Sequence, residues 1–253
     1  MWTDETFALL EEEELEITND HILIMLLILA GIKGDLEKEL RAFYQKYGQD
    51  GVITYEEARK WISEKNHQRR LTALLLLVGT LFSVAAVDIE KHFRTLLTAI
   101  IAKESAFFSV KLNVGDLLKR KWGVDDLYWL QRLEADMQLW QMNIMADLKQ
   151  SIHRQDHIDD ILTKLDKRFT SIDRIFKALG LSESTAMGSL SRQAIFKELG
   201  ISKYKVCTQE DNKVCEICRP FNGKIFPISA MEVGVTASPF HTNCRCYEIP
   251  IVE

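Results

Sequence analysis

A chain of 253 residues with 47% hydrophobic side chains can bury a sizeable core or two modest ones, which excludes a disordered protein. Its net charge of -5 argues against a wholesale nucleic-acid binder, whose surface carries a basic surplus, and points to protein partners rather than naked DNA. The acidic start, with Asp4, Glu5 and Glu11 to Glu14, lacks the basic and early apolar pattern of a secretory leader, so folding in a reducing cytoplasm is expected.

Proline divides the chain: Pro220, Pro227, Pro239 and Pro250 are its only four, so more than 200 residues run without a helix breaker. In that part apolar residues recur at spacings of three and four, as in Leu127, Leu130, Leu133 and Met137, then Trp140, Ile144 and Leu148. The expected fold is mainly α, with long amphipathic helices and a small C-terminal α+β module. Helices are predicted over Asp35 to Tyr47, Tyr55 to Lys65, Leu71 to Val110 with a break near Asp88, Val124 to Arg154, His157 to Leu179, and Ser191 to Leu199. Composition divides the chain into an N-terminal helical region, 1–123, a long-helix region, 124–200, and a module, 201–253.

Two apolar stretches need separate treatment. Ile22 to Ile32 is too short to span a bilayer, and Leu71 to Val87 sits at the lower limit of spanning length. We read the second as a buried helix, without stable membrane insertion; the competing readings are a single anchor or an apolar face that a partner covers. Between the first two helices, Thr54 to Glu57 has the form of a capping box. Asp50-Gly51 beside it resembles half of a calcium loop, but Lys46 and Gly48 stand where oxygen ligands are needed, so a helix-turn-helix corner is predicted instead.

After Ser202 the period shortens, with strands predicted at Tyr204 to Thr208, Lys224 to Ile228 and Tyr247 to Val252. This piece is poor in large apolar side chains, yet it holds all five cysteines, Cys207 to Cys246. Cys215 and Cys218 are followed after 22 residues by His241 and Cys244. Two closely spaced ligand pairs joined by one loop suit a tetrahedral Zn²⁺ site, and in a reducing compartment clustered thiols favour metal over disulfides. A structural Zn²⁺ on Cys215, Cys218, His241 and Cys244 would stabilise so small a module. Cys246 competes with Cys244 for the fourth place. If Cys-Arg-Cys is a strand, alternation sends the two sulfurs to opposite faces, and the His-x-x-Cys turn favours Cys244. The bland alternative is a set of buried thiols beside a solvent histidine, and Cys207 reads as a small hydrophobe in a strand.

A catalytic zinc needs an open position and a carboxylate base, for which Glu216 or Glu210 could be nominated; with four protein ligands the site reads as closed. Lys203, Lys205, Lys213, Arg219, Lys224 and Arg245 read as a solvated face rather than a phosphate surface. No phosphate loop, dinucleotide fingerprint or serine elbow is present in the sequence. Tyr128, Trp129 and Trp140 read as core or helix contacts. Trp122, within the basic break Lys119 to Gly123, reads as a loop anchor, with a docking point as the sharper alternative.

Taken together, Ser191-Arg192-Gln193, Asp211 to Cys218, Asn222 to Phe226 and Ser238 to Cys246 resemble the minor head proteins of tailed bacteriophages named for the F protein of phage Mu. The resemblance covers roughly the last 65 residues. It implies a non-enzymatic virion protein located in the head at the portal vertex, assembled in the bacterial host cytoplasm. It also implies the portal protein and other head proteins as partners, contact with packaged DNA, and a role in head morphogenesis and DNA packaging or ejection. Some relatives carry an appended enzyme domain, which is not expected in the seven residues after Cys246. A zinc-dependent hydrolase or nuclease acting on nucleic acid is the alternative from the enzyme class.

Overall fold

The computed structural model describes residues 2–57, 60, 65–208 and 215–252. It is mainly helical, with a small antiparallel sheet near the C-terminus. The long helices are α1 (Asp4–Tyr47), α2 (Lys65–Phe108), α4 (Trp129–His153) and α5 (Ile158–Glu198); a single turn, α3 (Val114–Leu117), lies between α2 and α4.

The long helices carry uninterrupted buried stripes, which in α5 widen to nearly the whole circumference over Ser182 to Phe196. In α1 the buried positions are Phe7, Leu10, Glu14, Thr18, Ile22, Met25, Leu29, Ile32, Leu36, Leu40 and Tyr44, always three or four apart. That period places all of them on one face, and the stripe begins far before Asp35, where the helix was expected to start. Thr3 closes its N-terminus, accepting the Thr6 amide on Oγ1 at 3.2 Å, with Asp4 and Glu5 favourably placed in the first turn. In α2 the stripe Leu74, Val78, Phe82, Ala85, Ile89, Phe93 passes Asp88 without a break. Asp88 is exposed, so a charge there costs the helix nothing in burial, and no glycine or proline enforces a stop. The predicted break is therefore absent.

The expectation that Leu71 to Val87 is buried holds for one face only. Leu74, Val78, Phe82 and Ala85 are buried, whereas Leu76, Val84 and Val87 are 64%, 65% and 68% exposed. On α1, Leu23 and Leu27 are likewise exposed. By length and composition both helices could cross a membrane. The corner after α1 forms as predicted: Gln49 and Val52 bridge, and the Thr54 hydroxyl accepts the Glu57 amide at 3.4 Å. Glycine is required at Gly48, where a Cβ would meet the Tyr44 carbonyl at 2.6 Å. Of the helix predicted over Tyr55 to Lys65, Tyr55 to Glu57 are helical, and most of the remainder lies outside the described residues.

Val124 to Tyr128 are turn and bridge rather than helix, so α4 starts at Trp129. Trp129 is buried, stacks on Phe93 with ring centroids 5.6 Å apart, and donates its indole N–H to the Leu118 carbonyl. Trp140 is buried as well. The helices predicted over His157 to Leu179 and Ser191 to Leu199 are one helix, α5. Its stretch from Ser182 to Phe196 is buried almost all round, and its Ser, Ala and Gly side chains leave room for neighbours on every side. A Cβ on Gly180 would come within 2.8 Å of Ile22.

The sheet contains β1 (Lys203–Cys207), β2 (Ile225–Pro227) and β3 (Tyr247–Ile251), in the order β2-β1-β3, antiparallel throughout. Pro250 is tolerated because β3 is an edge strand, and Cys207 is buried in β1 as expected of a small hydrophobe. By compactness the chain forms two units that do not follow chain order. The first contains Met1–Ile24, Lys91–Arg132 and Phe176–Glu253; the second contains Met25–Glu90 and Leu133–Ile175.

Within the first unit, Arg192 of α5 is 2% exposed and faces four carboxylates. Its guanidinium lies 2.5 Å from Glu104, pairs with Glu11, and reaches Glu14 at 3.8 Å and Glu248 at 4.0 Å. Burial pushes Glu104 and Glu248 up to about 7, against the attraction of Arg192, and raises Glu11 and Glu14 too. An acid whose folded pKa lies above its unfolded value binds more protons when folded. Stability therefore falls as pH rises from about 4.5 through about 7. Thermal unfolding in buffer without added divalent cations should give a higher Tm at pH 5.5 than at pH 8, and Glu104→Gln should shrink that difference. An unchanged difference in the variant would show that Glu104 does not titrate in this range.

Candidate metal centre

The first half of the centre is the turn before a 3-10 helix at Arg219–Phe221. The Cys218 amide donates to Cys215 Sγ at 3.3 Å, and the Arg219 amide donates to the Cys215 carbonyl at 3.0 Å. Glu216 and Ile217 are thereby turned outward and exposed. The second half is the turn His241 to Cys244, closed by the Cys244 amide donating to the His241 carbonyl at 3.1 Å. Asn243 takes a positive φ of 61°, a conformation that asparagine adopts more readily than most residues. Phe221 and Phe240 stack with centroids 3.9 Å apart and so hold the two halves together.

Cys218 is where the halves meet. Its sulfur lies 2.9 Å from His241 Nε2 and 3.6 Å from Cys244 Sγ, while Cys215 Sγ lies 3.0 Å from the same Nε2. His241 Nδ1 donates to the Thr242 carbonyl at 2.7 Å; a carbonyl only accepts, so Nε2 carries the lone pair and faces the sulfurs. Cys215, Cys218 and His241 form one set able to hold a metal ion, and Cys218, Cys244 and Cys246 form another. Soft thiolates and an imidazole are the donors that Zn²⁺ takes. Two thiolates on one tetrahedral Zn²⁺ stand about 3.8 Å apart, close to the Cys218–Cys244 separation. The nitrogen–sulfur pairs are at hydrogen-bond distance and would have to spread slightly to share an ion.

The alternation argument that separated Cys244 from Cys246 does not apply. β3 begins at Tyr247, so Cys-Arg-Cys is irregular backbone, and both sulfurs lie beside Cys218. They differ in charge state instead. The neighbouring Cys246 thiol and the nearby backbone amides of Cys246 and Phe240 favour the Cys244 thiolate and lower its pKa to about 5 despite burial. The same neighbourhood raises Cys246. Burial, with the Cys244 thiolate next to it, pushes Cys218 up to about 12. Cys207 stands apart in β1, pushed up to about 11 by burial.

The centre is seated on α5 by contacts that spacing alone does not reveal. The Thr185 hydroxyl donates to the Cys244 carbonyl at 3.1 Å, and Ser182 Oγ accepts the Asn243 amide at 3.3 Å. Below them Ser189 donates to Glu248 Oε2 at 2.8 Å, and the Ser238 amide donates to Oε1 at 2.6 Å. A run of serines and threonines in a helix is the only sequence signal for these anchors, and it reads equally as poor helix propensity. Trp122 is consumed internally: its indole donates to buried Glu183 at 2.9 Å, and Arg132 lies over its ring while also bonding Glu183. The loop-anchor reading stands. Of the basic residues, Lys205 pairs with Asp4 and Lys224 lies over the Phe221 ring. Lys213 and Glu210 lie outside the described residues.

Titrating metal-free protein with Co²⁺ should produce the thiolate-to-cobalt absorption bands of a sulfur-rich site. Cys218→Ser, which removes the sulfur common to both sets, should abolish them, and Cys207→Ala should leave them intact. Bands that survive Cys218→Ser would show that the thiols do not converge on one ion.

Neither curated proteins nor solved structures gave a match to this chain. A family comparison did: residues 142–249, from within α4 to the middle of β3, match the family described as phage Mu protein F-like protein. The match takes in α5 from end to end, both halves of the thiol centre and Glu248. The resemblance read from the cysteine-histidine frame is thus shown: the C-terminal region of the chain is similar to phage Mu protein F-like protein over residues 142–249.

Proposed function

We propose that this protein is a structural, non-enzymatic component of a tailed-bacteriophage head, bound at the portal vertex and acting in head morphogenesis and in DNA packaging or ejection. The observation that carries the reading is the family match over the segment that holds the thiol centre and its α5 seat. On this reading the protein belongs to the virion, after assembly in the host cytoplasm. Its partners are the portal protein and other head proteins, with packaged DNA nearby. The exposed apolar positions Leu76, Val84 and Val87 on α2 suit a protein that ends up inside an assembly.

Zinc has a structural role in this proposal. Cys215, Cys218 and His241 supply three ligands and Cys244 the fourth, with the Cys246 sulfur beside them but outside the ligand set. Cys244 is preferred because its surroundings already stabilise the thiolate, the form that binds metal. The ion would fix two turns that have little apolar mass of their own, a task for which structural zinc in small modules contributes on the order of 10 kcal/mol. A hydrolytic zinc needs an open position and a carboxylate base. Glu216 points away into solvent, and an additional thiol stands beside the four donors.

Co-expression with the phage's portal protein, followed by pull-down and metal analysis, tests both parts. The expected result is a stable complex with one zinc per copy of this chain. Cys215→Ser should lose the zinc and expose 215–252 to protease. A folded, protease-resistant Cys215→Ser protein that had lost only a hydrolytic activity would favour the enzyme, and failure to associate with the portal protein together with absence of zinc would remove the proposal.

A further inference from the structure

The first unit contains a second group of ligand-type side chains whose chemistry differs from that of the thiol centre. Glu11 and Glu14 of α1 and Glu104 of α2 each offer a carboxylate oxygen within 4.8 Å of the other two. Two observations separate them from an ordinary acidic cluster. The Glu14 side chain is 9% exposed and Glu104 is fully buried, yet Glu14 Oε1 and Glu104 Oε2 have no hydrogen-bond partner. A cavity of about 40 Å³ also opens directly on Glu11 and Glu14, with the hydroxyl residues Thr18, Ser184 and Thr185 and also Cys244 and Arg245 in its wall. Such a volume holds about three water-sized spheres.

Charge makes the arrangement incomplete. Arg192 supplies one positive charge to Glu11, Glu14, Glu104 and Glu248, and Arg245 stands in the cavity wall, so four ionised carboxylates against two guanidiniums leave two negative charges unmatched. Unmatched charge at this depth has to be neutralised. A proton shared between Glu14 and Glu104 removes one of the two and makes no use of the cavity. A small dication removes two, and it gives the partnerless oxygens a ligand.

We propose that Glu11, Glu14 and Glu104 form a binding site for a hard divalent cation of the Mg²⁺ or Mn²⁺ kind, with water in the adjoining cavity completing the coordination shell. Three carboxylate oxygens and two or three waters give the six-oxygen shell that such ions require. Hard oxygen donors here and soft sulfur donors at the thiol centre would sort two kinds of metal within one unit. The site lies on the α1 and α2 segments beside α5, so occupancy would tie the N-terminal turns of α1 to the core.

The test uses full-length protein whose thiol centre has first been loaded with Zn²⁺, so that Mn²⁺ cannot be captured by the cysteines. Electron paramagnetic resonance should show one bound Mn²⁺ per chain, displaced by excess Mg²⁺, with a raised Tm in its presence. Glu14→Gln and Glu104→Gln should each weaken Mn²⁺ binding at least tenfold, while Glu12→Gln on the exposed side of the same helix should not. Absence of bound Mn²⁺ in the wild-type protein, or Gln variants that bind it unchanged, would overturn the proposal. So would Gln variants that gain stability regardless of metal, because that result assigns neutralisation to protons.

Discussion

The guanidinium of Arg192, buried among four carboxylates, is the constraint on which the rest of the first unit depends. It is the point where α1, α2, α5 and β3 meet: Glu11 and Glu14 come from the first, Glu104 from the second, Arg192 from the third and Glu248 from the last. An apolar core lets elements slide and repack, whereas a desolvated charge specifies its partners, because leaving any of them unpaired is costly. β3 is thereby pinned to the helices at Glu248, two residues beyond Cys246, and the turn carrying His241 and Cys244 is pinned by Thr185 and Ser182. The thiol centre is thus built against the buried side of α5 rather than hung on a linker.

This changes the meaning of the cysteine-histidine frame. A free-standing finger folds around its metal and is otherwise independent. Here the ion would join two turns, one of which is already held by helix hydroxyls and a buried carboxylate. The other, Cys215 to Cys218, is held by the Phe221–Phe240 stack and by its proximity to the sulfurs and imidazole. A metal would therefore act mainly on the Cys215 turn. That division of labour fits a similarity that extends from α4 into β3 rather than stopping at the cysteines.

The helical class, the corner at Gly48 to Thr54, the three strands and the convergence of Cys215, Cys218 and His241 were legible in the sequence, since each rests on local spacing or turn chemistry. The continuity of the helices was not. Asp88 reads as an interruption, but on a helix whose buried face skips it an aspartate is only a surface residue. Gly180 to Ser191 reads as a gap because glycine and serine are weak helix formers, yet small side chains are what an enclosed helix needs when neighbours approach from all sides. The sulfur positions of Cys244 and Cys246 were misjudged because alternation was applied to a segment that precedes the strand. The role of Arg192 was hidden because its partners lie 181, 178, 88 and 56 residues away along the chain, a separation no periodicity reports.

Hydrogen exchange on Arg192→Met tests the central claim most directly, since methionine fills much of the same space without the charge. If Arg192 holds the four elements together, the variant loses about 3–5 kcal/mol, more at pH 8 than at pH 5.5, where protons can replace the guanidinium. Exchange should then accelerate jointly in the first turns of α1, around Glu104, in β3 and in the turn at Cys244. Protection unchanged in β3 and at Cys244, with loss confined to α5, would contradict the account and make the thiol module independent of the helices that carry it.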